Sequence, residues 1–199
     1  MSKRPGANKE NLEETRRVFL DIARKEFCEH GYAGASTSRI VEKSGMARGS
    51  LYYHFGDKGG LFHAVYEEAM NETLKHVSAI MDAKEDPWDA LIAGSNAFLD
   101  LCMKDEFRKI ALIESQAAIS FKDRLIIHEA TLLGKLRTLI PALLERGYFP
   151  GHTPNTIVIF IFGILGEIGR AFDSSQDIKQ DREAYGHAYE QSLSKMISA

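Results

Sequence analysis

A chain of 199 residues, 44% of them hydrophobic, can bury a substantial core, as one large domain or as a small domain joined to a larger one. The formal net charge of −3 excludes a bulk polycation, but residues 1–60 carry 11 Lys and Arg against 8 Asp and Glu, a balance of +3 that leaves −6 for the rest. Only the front is therefore suited to a polyanion. Two cysteines, Cys28 and Cys102, are too sparse for a disulfide framework and, with no secretory-type apolar segment at the N-terminus, predict a reducing, cytoplasmic setting.

Hydrophobic spacing is helical almost throughout, without period-two alternation or a fixed repeat. The first ten residues are polar and expected to be loose. Asn11 can cap a first helix, with Glu13 and Glu14 in its first turn and Val18, Phe19, Ile22, Ala23 and Phe27 as its apolar stripe; Gly31 stops it. Ser36 and Thr37 offer caps for a short second helix over 38–44, Gly45 turns the chain, and a third short helix covers 47–55. Gly56 ends that helix, and a long fourth one is expected over about 57–81.

The second half reads as longer helices. Pro87 opens one over 88–103, a short one covers 105–115, and a long one covers 122–146, where Pro141 removes a backbone donor and predicts a kink. Thr153 or Asn155 caps a very apolar helix reaching Phe172. Its apolar run, 157–166, stops at Glu167, short of the ~20 residues that span a bilayer, and predicts a buried helix. A last helix covers about 182–197.

The helix over 47–55 has an unusual surface. At about 100° per residue, Ala47, Leu51 and Phe55 share an inward side, and Gly49 and Tyr53 point outward. Arg48 and Tyr52 flank them, Ser50 lies on the other flank, and His54 sits at the edge of the packed face. A cation, hydroxyl donors and a bare patch of backbone are the groups that meet phosphates and base edges. Helix, glycine turn, short helix is the spacing of a helix-turn-helix.

These residues also resemble a known family. The run from Thr15 to Tyr32, then Thr37 to Lys58 with LYYHF followed by DK, resembles the N-terminal domain of tetracycline-repressor-like (TetR family) regulators over about fifty residues. The resemblance implies an all-α protein of about nine helices. A three-helix helix-turn-helix DNA-binding domain (11–56) would precede a larger helical effector-binding and dimerisation domain (57–199). It implies a homodimeric repressor that binds a palindromic double-stranded DNA operator through helix 47–55 and is released by a small molecule. Carried over by position, Thr37 caps the second helix and touches phosphate, Ser38 and Arg39 adjoin it, Arg48 and Gly49 occupy the cation and close-approach positions, Ser50, Tyr52, Tyr53 and His54 complete the DNA-facing set, and Lys58 is the phosphate-binding lysine. Two departures stand out. Ala47 replaces a frequent Ser or Thr, and Gly59-Gly60 replaces good helix formers, which predicts a soft joint between head and body.

In the body, helix 156–172 carries Gly163, Gly166 and Gly169, and the last helix lines up Tyr185, Ala188, Tyr189, Ser192, Leu193 and Met196. Two such helices per subunit would make a four-helix dimer interface, with Glu167 and Arg170 paired at its edge. Trp88, Asn96, Phe98, Cys102, Glu114, Gln116 and His128 are the candidate lining of a pocket for a hydrophobic or amphipathic effector. No cofactor or metal is expected: His63 and Glu67 lack a third ligand nearby, and neither a phosphate-cradling loop nor a nucleophile elbow appears. The rivals are a thiol sensor using Cys28 and Cys102, a small-molecule enzyme and a non-specific DNA packager; mild oxidant, or equal affinity for any duplex, would separate the first and last.

Overall fold

Helix α1 (Pro5–Gly34) opens the structure, a computed structural model that describes residues 5–197. It begins ahead of Asn11, so Asn11 is an interior position rather than the expected cap; Pro5 starts the helix, where its missing N–H costs nothing. The expected loose stretch falls partly on residues 1–4, outside the described residues. Gly31, with φ 65 and ψ 172, breaks the helix in a backbone region that favours glycine. Helix α2 (Thr37–Ser44) is capped by Ser36, whose Oγ accepts from the Arg39 N–H at 3.4 Å, so Thr37 is its first residue rather than its cap. After Gly45 comes α3 (Arg48–Phe55), whose cap position, Ala47, offers no side-chain bond. The long α4 (Lys58–Asp82) is capped by Asp57, which accepts from the Gly60 N–H at 2.8 Å.

The head closes on Phe19, Leu20, Phe27, Ile40, Leu51 and Phe62, all essentially inaccessible to solvent. Each contributes about 1.5–3 kcal/mol of burial. Phe62 of α4 meets Phe27 edge-on at 4.9 Å, and Tyr32 at 5.3 Å, so the first turns of α4 belong to the head's core. At Gly59-Gly60 the second glycine has a steric reason besides the expected softness. A Cβ at Gly60 would fall on the Phe55 carbonyl oxygen, so this glycine makes a tight turn possible.

In the body, α5 (Pro87–Cys102) is capped by Asp86, which accepts from the Trp88 and Asp89 N–H groups. The single short helix expected over 105–115 is instead α6 (Asp105–Phe107), a π-helical stretch (Arg108–Glu114) and α7 (Ser115–Ala118). Arg108 anchors that stretch by donating to Asp105, Asp173 and the Cys102 carbonyl. The expected helix 122–146 is two, α8 (Phe121–Ala130) and α9 (Leu132–Glu145). The break falls at Thr131 (φ −125, ψ −119), and α9 runs through Pro141 unbroken. A Cβ at Gly134 would overlap the Glu129 carbonyl oxygen, so the two helices meet across a contact only glycine allows.

Helix α10 (Pro154–Ala171), capped by Thr153, leads through a 3₁₀ turn (Phe172–Ser174) to α11 (Ile178–Ile197). By length and composition Pro154–Ser174 could cross a bilayer, at 21 residues and mean hydropathy 1.5, yet only 33% of it is buried within the chain. The expectation of a buried helix is therefore half met. Ile157, Ile161 and Leu165 pack inward, while Ile159 (57% exposed) and Phe160 (37%) face out.

Candidate nucleic-acid interface and body cavity

Helix α3 turns Leu51 and Phe55 into the head and leaves Tyr53 75% exposed. Gly49 sits in open space, with nothing within 4 Å of where a Cβ would stand. One turn along, the Arg48 guanidinium donates to the Tyr52 hydroxyl at 3.2 Å and lies 5.5 Å from that ring's centroid. Bonds from Arg48 and then Thr37 hold the Tyr52 phenol below its usual pKa. Thr37, Arg48 and Tyr52 thus form one polar cluster joining the start of α2 to α3, with Ser38 exposed beside it and Ser50 half-buried. The edge is able to donate several hydrogen bonds to phosphate oxygens and one planar fork to a base.

Three residues of the expected DNA set are set into the head itself. Lys58 donates to the carbonyls of Tyr32 (2.8 Å), Ala33 (3.3 Å) and Ala35 (3.3 Å) and lies over the Tyr32 ring. Its ammonium thus sits at the carbonyl end of α1. Arg39 donates to Glu26 Oε1 at 2.6 Å and to the Gly34 carbonyl at 2.7 Å. His54 is half-buried, its Nε2 shielded from solvent without a partner among the described residues.

Glu26 organises this side of the head. It is fully buried and also accepts from the Ser36 N–H at 3.1 Å and Lys43 at 3.2 Å. Burial alone would raise its pKa, but the bonds from Arg39, Ser36 and Lys43 outweigh that and hold the carboxyl below its ordinary range.

The body holds a cavity of about 760 Å³ bounded by α4, α5, the π-helical stretch, α7, α8, α9 and α10. Of the expected lining, Phe98, Gln116 and His128 are there. The others are not, each for a visible reason. Trp88 stacks on Tyr148, ring centroids 5.3 Å apart. Asn96 donates to Glu190 and accepts from Arg182, tying α5 to α11. Cys102 is packed under Gly169. Glu114 reaches the head, accepting from the Tyr32 N–H at 2.8 Å.

Sequence reasoning missed Tyr66 and Arg124. Tyr66 is hydrogen-bonded to His128 Nε2 at 2.6 Å. Burial, then the Arg124 charge, pushes His128 down to about 4, so the ring is neutral at physiological pH; burial raises the Tyr66 phenol well above its usual range. No local motif marks either residue, because α4 and α8 meet only in the folded body. Both cysteine thiols are raised by burial first of all, which leaves them protonated and poorly reactive.

The expected dimer residues divide in two. Tyr189 (hydroxyl 2.9 Å from Ser95 Oγ) and Leu193 are buried within their own chain, while the half-buried Tyr185 stacks on Phe172 and Met196 packs partly on the core. Gly163, Glu167 and Ser192 are exposed; Glu167 pairs with Arg170, whose guanidinium lies over Gly166.

Comparison with known proteins matches this arrangement at both ends. Residues 19–65 match the family model for bacterial regulatory proteins of the tetR family, and residues 88–196 match that of the tetracyclin repressor-like C-terminal domain. The HTH-type transcriptional repressor AcnR of Corynebacterium efficiens is 33% identical over 135 residues, covering 64% of this chain and 71% of that protein. The repressor Rv1474c of Mycobacterium tuberculosis is 37% identical over 95 residues, 44% of this chain and 51% of its own length. A TetR-family regulator from Pectobacterium atrosepticum superposes with a TM-score of 0.78 at 29% identity, over 92% of this chain and 94% of that one. FadR of Bacillus subtilis, solved with stearoyl-CoA, shares the fold at 18% identity and a TM-score of 0.73, over 92% of this chain and 97% of that one.

Proposed function

The chain belongs to the TetR family of DNA-binding transcriptional repressors, and on that premise we propose that it acts in the cytoplasm as a homodimer that grips a palindromic operator through α3 of each subunit and lets go when a small hydrophobic or amphipathic molecule fills the body cavity. We divide the labour at residue 57, with 11–56 as the DNA-reading head and 57–199 as the sensing and pairing body. The observation that carries the reading is the outer face of α3. An aromatic 75% exposed, an open glycine and an arginine–tyrosine pair stand together on one short helix of a basic head. Groups of that kind have no packing role there, and they suit a phosphate wall and a base edge. Arg48 is the base or phosphate cation, Gly49 the point of close approach, and Tyr52 and Tyr53 the backbone contacts, with Thr37 and Ser38 at the start of α2. Two heads must match half-sites about 34–36 Å apart or a multiple of that. The apolar outer face of α10, with Ile159 and Phe160 uncovered, supports pairing of two copies through that helix.

Selection of bound fragments from the organism's own genome, followed by anisotropy titrations, tests this. The protein is expected to prefer the recovered site over random duplex by roughly 10³-fold or more, and Arg48→Ala to lose much of that preference. Equal affinity for every duplex would overturn the reading.

A further inference from the structure

The polar groups of the cavity can be taken one by one. Ser115 Oγ donates to the Ala111 carbonyl, and Gln116 Nε2 to the Leu112 carbonyl. Ser95 is bonded to Tyr189, and Tyr66 to His128. Lys135 is neutralised by Asp82 at 2.6 Å, and Arg170 by Glu167. One charged group is left over. Arg124, on α8, forms no ion pair with a carboxylate among the described residues. Its Nη1 alone is held, by the carbonyls of Ser115 (3.0 Å), Gln116 (3.2 Å) and Ile119 (2.7 Å). Those three bonds fix the plane of the guanidinium and leave Nε and Nη2 without a protein partner among the described residues.

The position of this cation is as informative as its charge. Phe121 (73% exposed) and Leu125, which flank Arg124 on α8, line the cavity where it opens to solvent. Beyond them the wall is apolar and buried, formed by Met70, Val77, Leu91 and Leu133. A fixed, unneutralised fork at the mouth of an apolar chamber of about 760 Å³ matches a molecule with one planar anionic end and a hydrophobic body. A cationic head would be repelled, and a polyanion would find a single positive partner and then an apolar wall.

We infer that the effector is a monoanionic amphiphile, its carboxylate taken by Arg124 Nε and Nη2 at the mouth and its apolar body lying between α4, α5 and α9. This rests on the effector reading of the cavity given above. A carboxylate there completes a charge-assisted fork that a neutral head of the same shape cannot make.

Calorimetric titration of the full chain with decanoate, decanol and decylammonium, each below its micellar range, tests it. Decanoate is expected to bind at least about tenfold more tightly than decanol, and decylammonium more weakly than either. In Arg124→Gln that preference should collapse to within about threefold. An unchanged circular-dichroism spectrum reports that the variant is folded, and the wild-type comparison stands even where the variant does not fold. Decanol binding as tightly as decanoate, or a preference that survives Arg124→Gln, overturns the inference and leaves the cavity reading in place. Failure of all three to bind removes both.

Discussion

Glu26 carries a charge in a place with no solvent, and its partners decide whether that is stabilising. Arg39, Lys43 and the Ser36 N–H all donate to it, so the carboxylate is the better form in the folded head and its pKa lies below the ordinary value of 4.5. A depressed carboxyl adds stability that is present above the unfolded pKa and lost as pH falls through the folded one. Glu26→Gln is therefore expected to destabilise the protein at pH 7 by about 1–3 kcal/mol, with the gap to wild type closing below about pH 4.5; thermal unfolding across that range checks both. The case also marks what a sequence discloses at this scale. The outward set of α3 follows from helical spacing, because exposure depends on an angle that local geometry fixes. The bonds of Arg39 and Lys58 within the head do not follow, because their partners, Glu26 and the end of α1, lie on other elements. Glu114 and Asn96 escaped for the same reason, as plausible ligand contacts whose bonds run to distant parts of the chain.

At the scale of elements, glycines that looked alike in the sequence separate in the structure. The turn from α3 into α4 needs Gly60, where any Cβ meets the Phe55 carbonyl, whereas Gly59 faces only the ends of the Asp57 and Tyr32 side chains, at 3.2 and 3.5 Å. Gly60→Ala is expected to cost about 1–3 kcal/mol through overpacking and backbone shift, while Gly59→Ala stays within about 1 kcal/mol of wild type because gained helix propensity offsets the tighter contact. Urea midpoints of the two variants check the asymmetry. Most boundaries were legible, since caps and stops are local: Ser36, Asp57, Pro87 and Thr153 each stand where a helix begins. Two of the misplacements were tertiary. Pro141 was read as the weak point of a long helix, but the chain breaks at Thr131, where Gly134 lets α9 close on the Glu129 carbonyl. The wide winding of Arg108–Glu114 had no signal in its composition; it lies where Arg108 is held from several sides and Leu112 packs against Gly169.

For the whole molecule, the helical class and the head were readable because both rest on periodicity and on a dense local motif, while the body disclosed only its supply of apolar residues. Its outer face carries the pairing proposed above. Phe160→Lys places a charge on the uncovered side of α10, and is expected to convert a dimer into a folded monomer with little loss of helix; light scattering on the eluted protein distinguishes the two masses, and unchanged dimer mass would exclude this face. Head and body also meet at the backbone of one residue, Tyr32, whose N–H donates to Glu114 of the body and whose carbonyl accepts from Lys58 in the first turn of α4. A last consequence concerns Trp88. It is the chain's one tryptophan, and it stands outside the cavity, stacked on Tyr148 and beside the buried Phe149, whose φ of 54 strains the turn between α9 and α10. Its emission is thus a gauge of that turn's integrity: steady intrinsic fluorescence during a ligand titration would mean an undisturbed corner of the body, not an empty chamber.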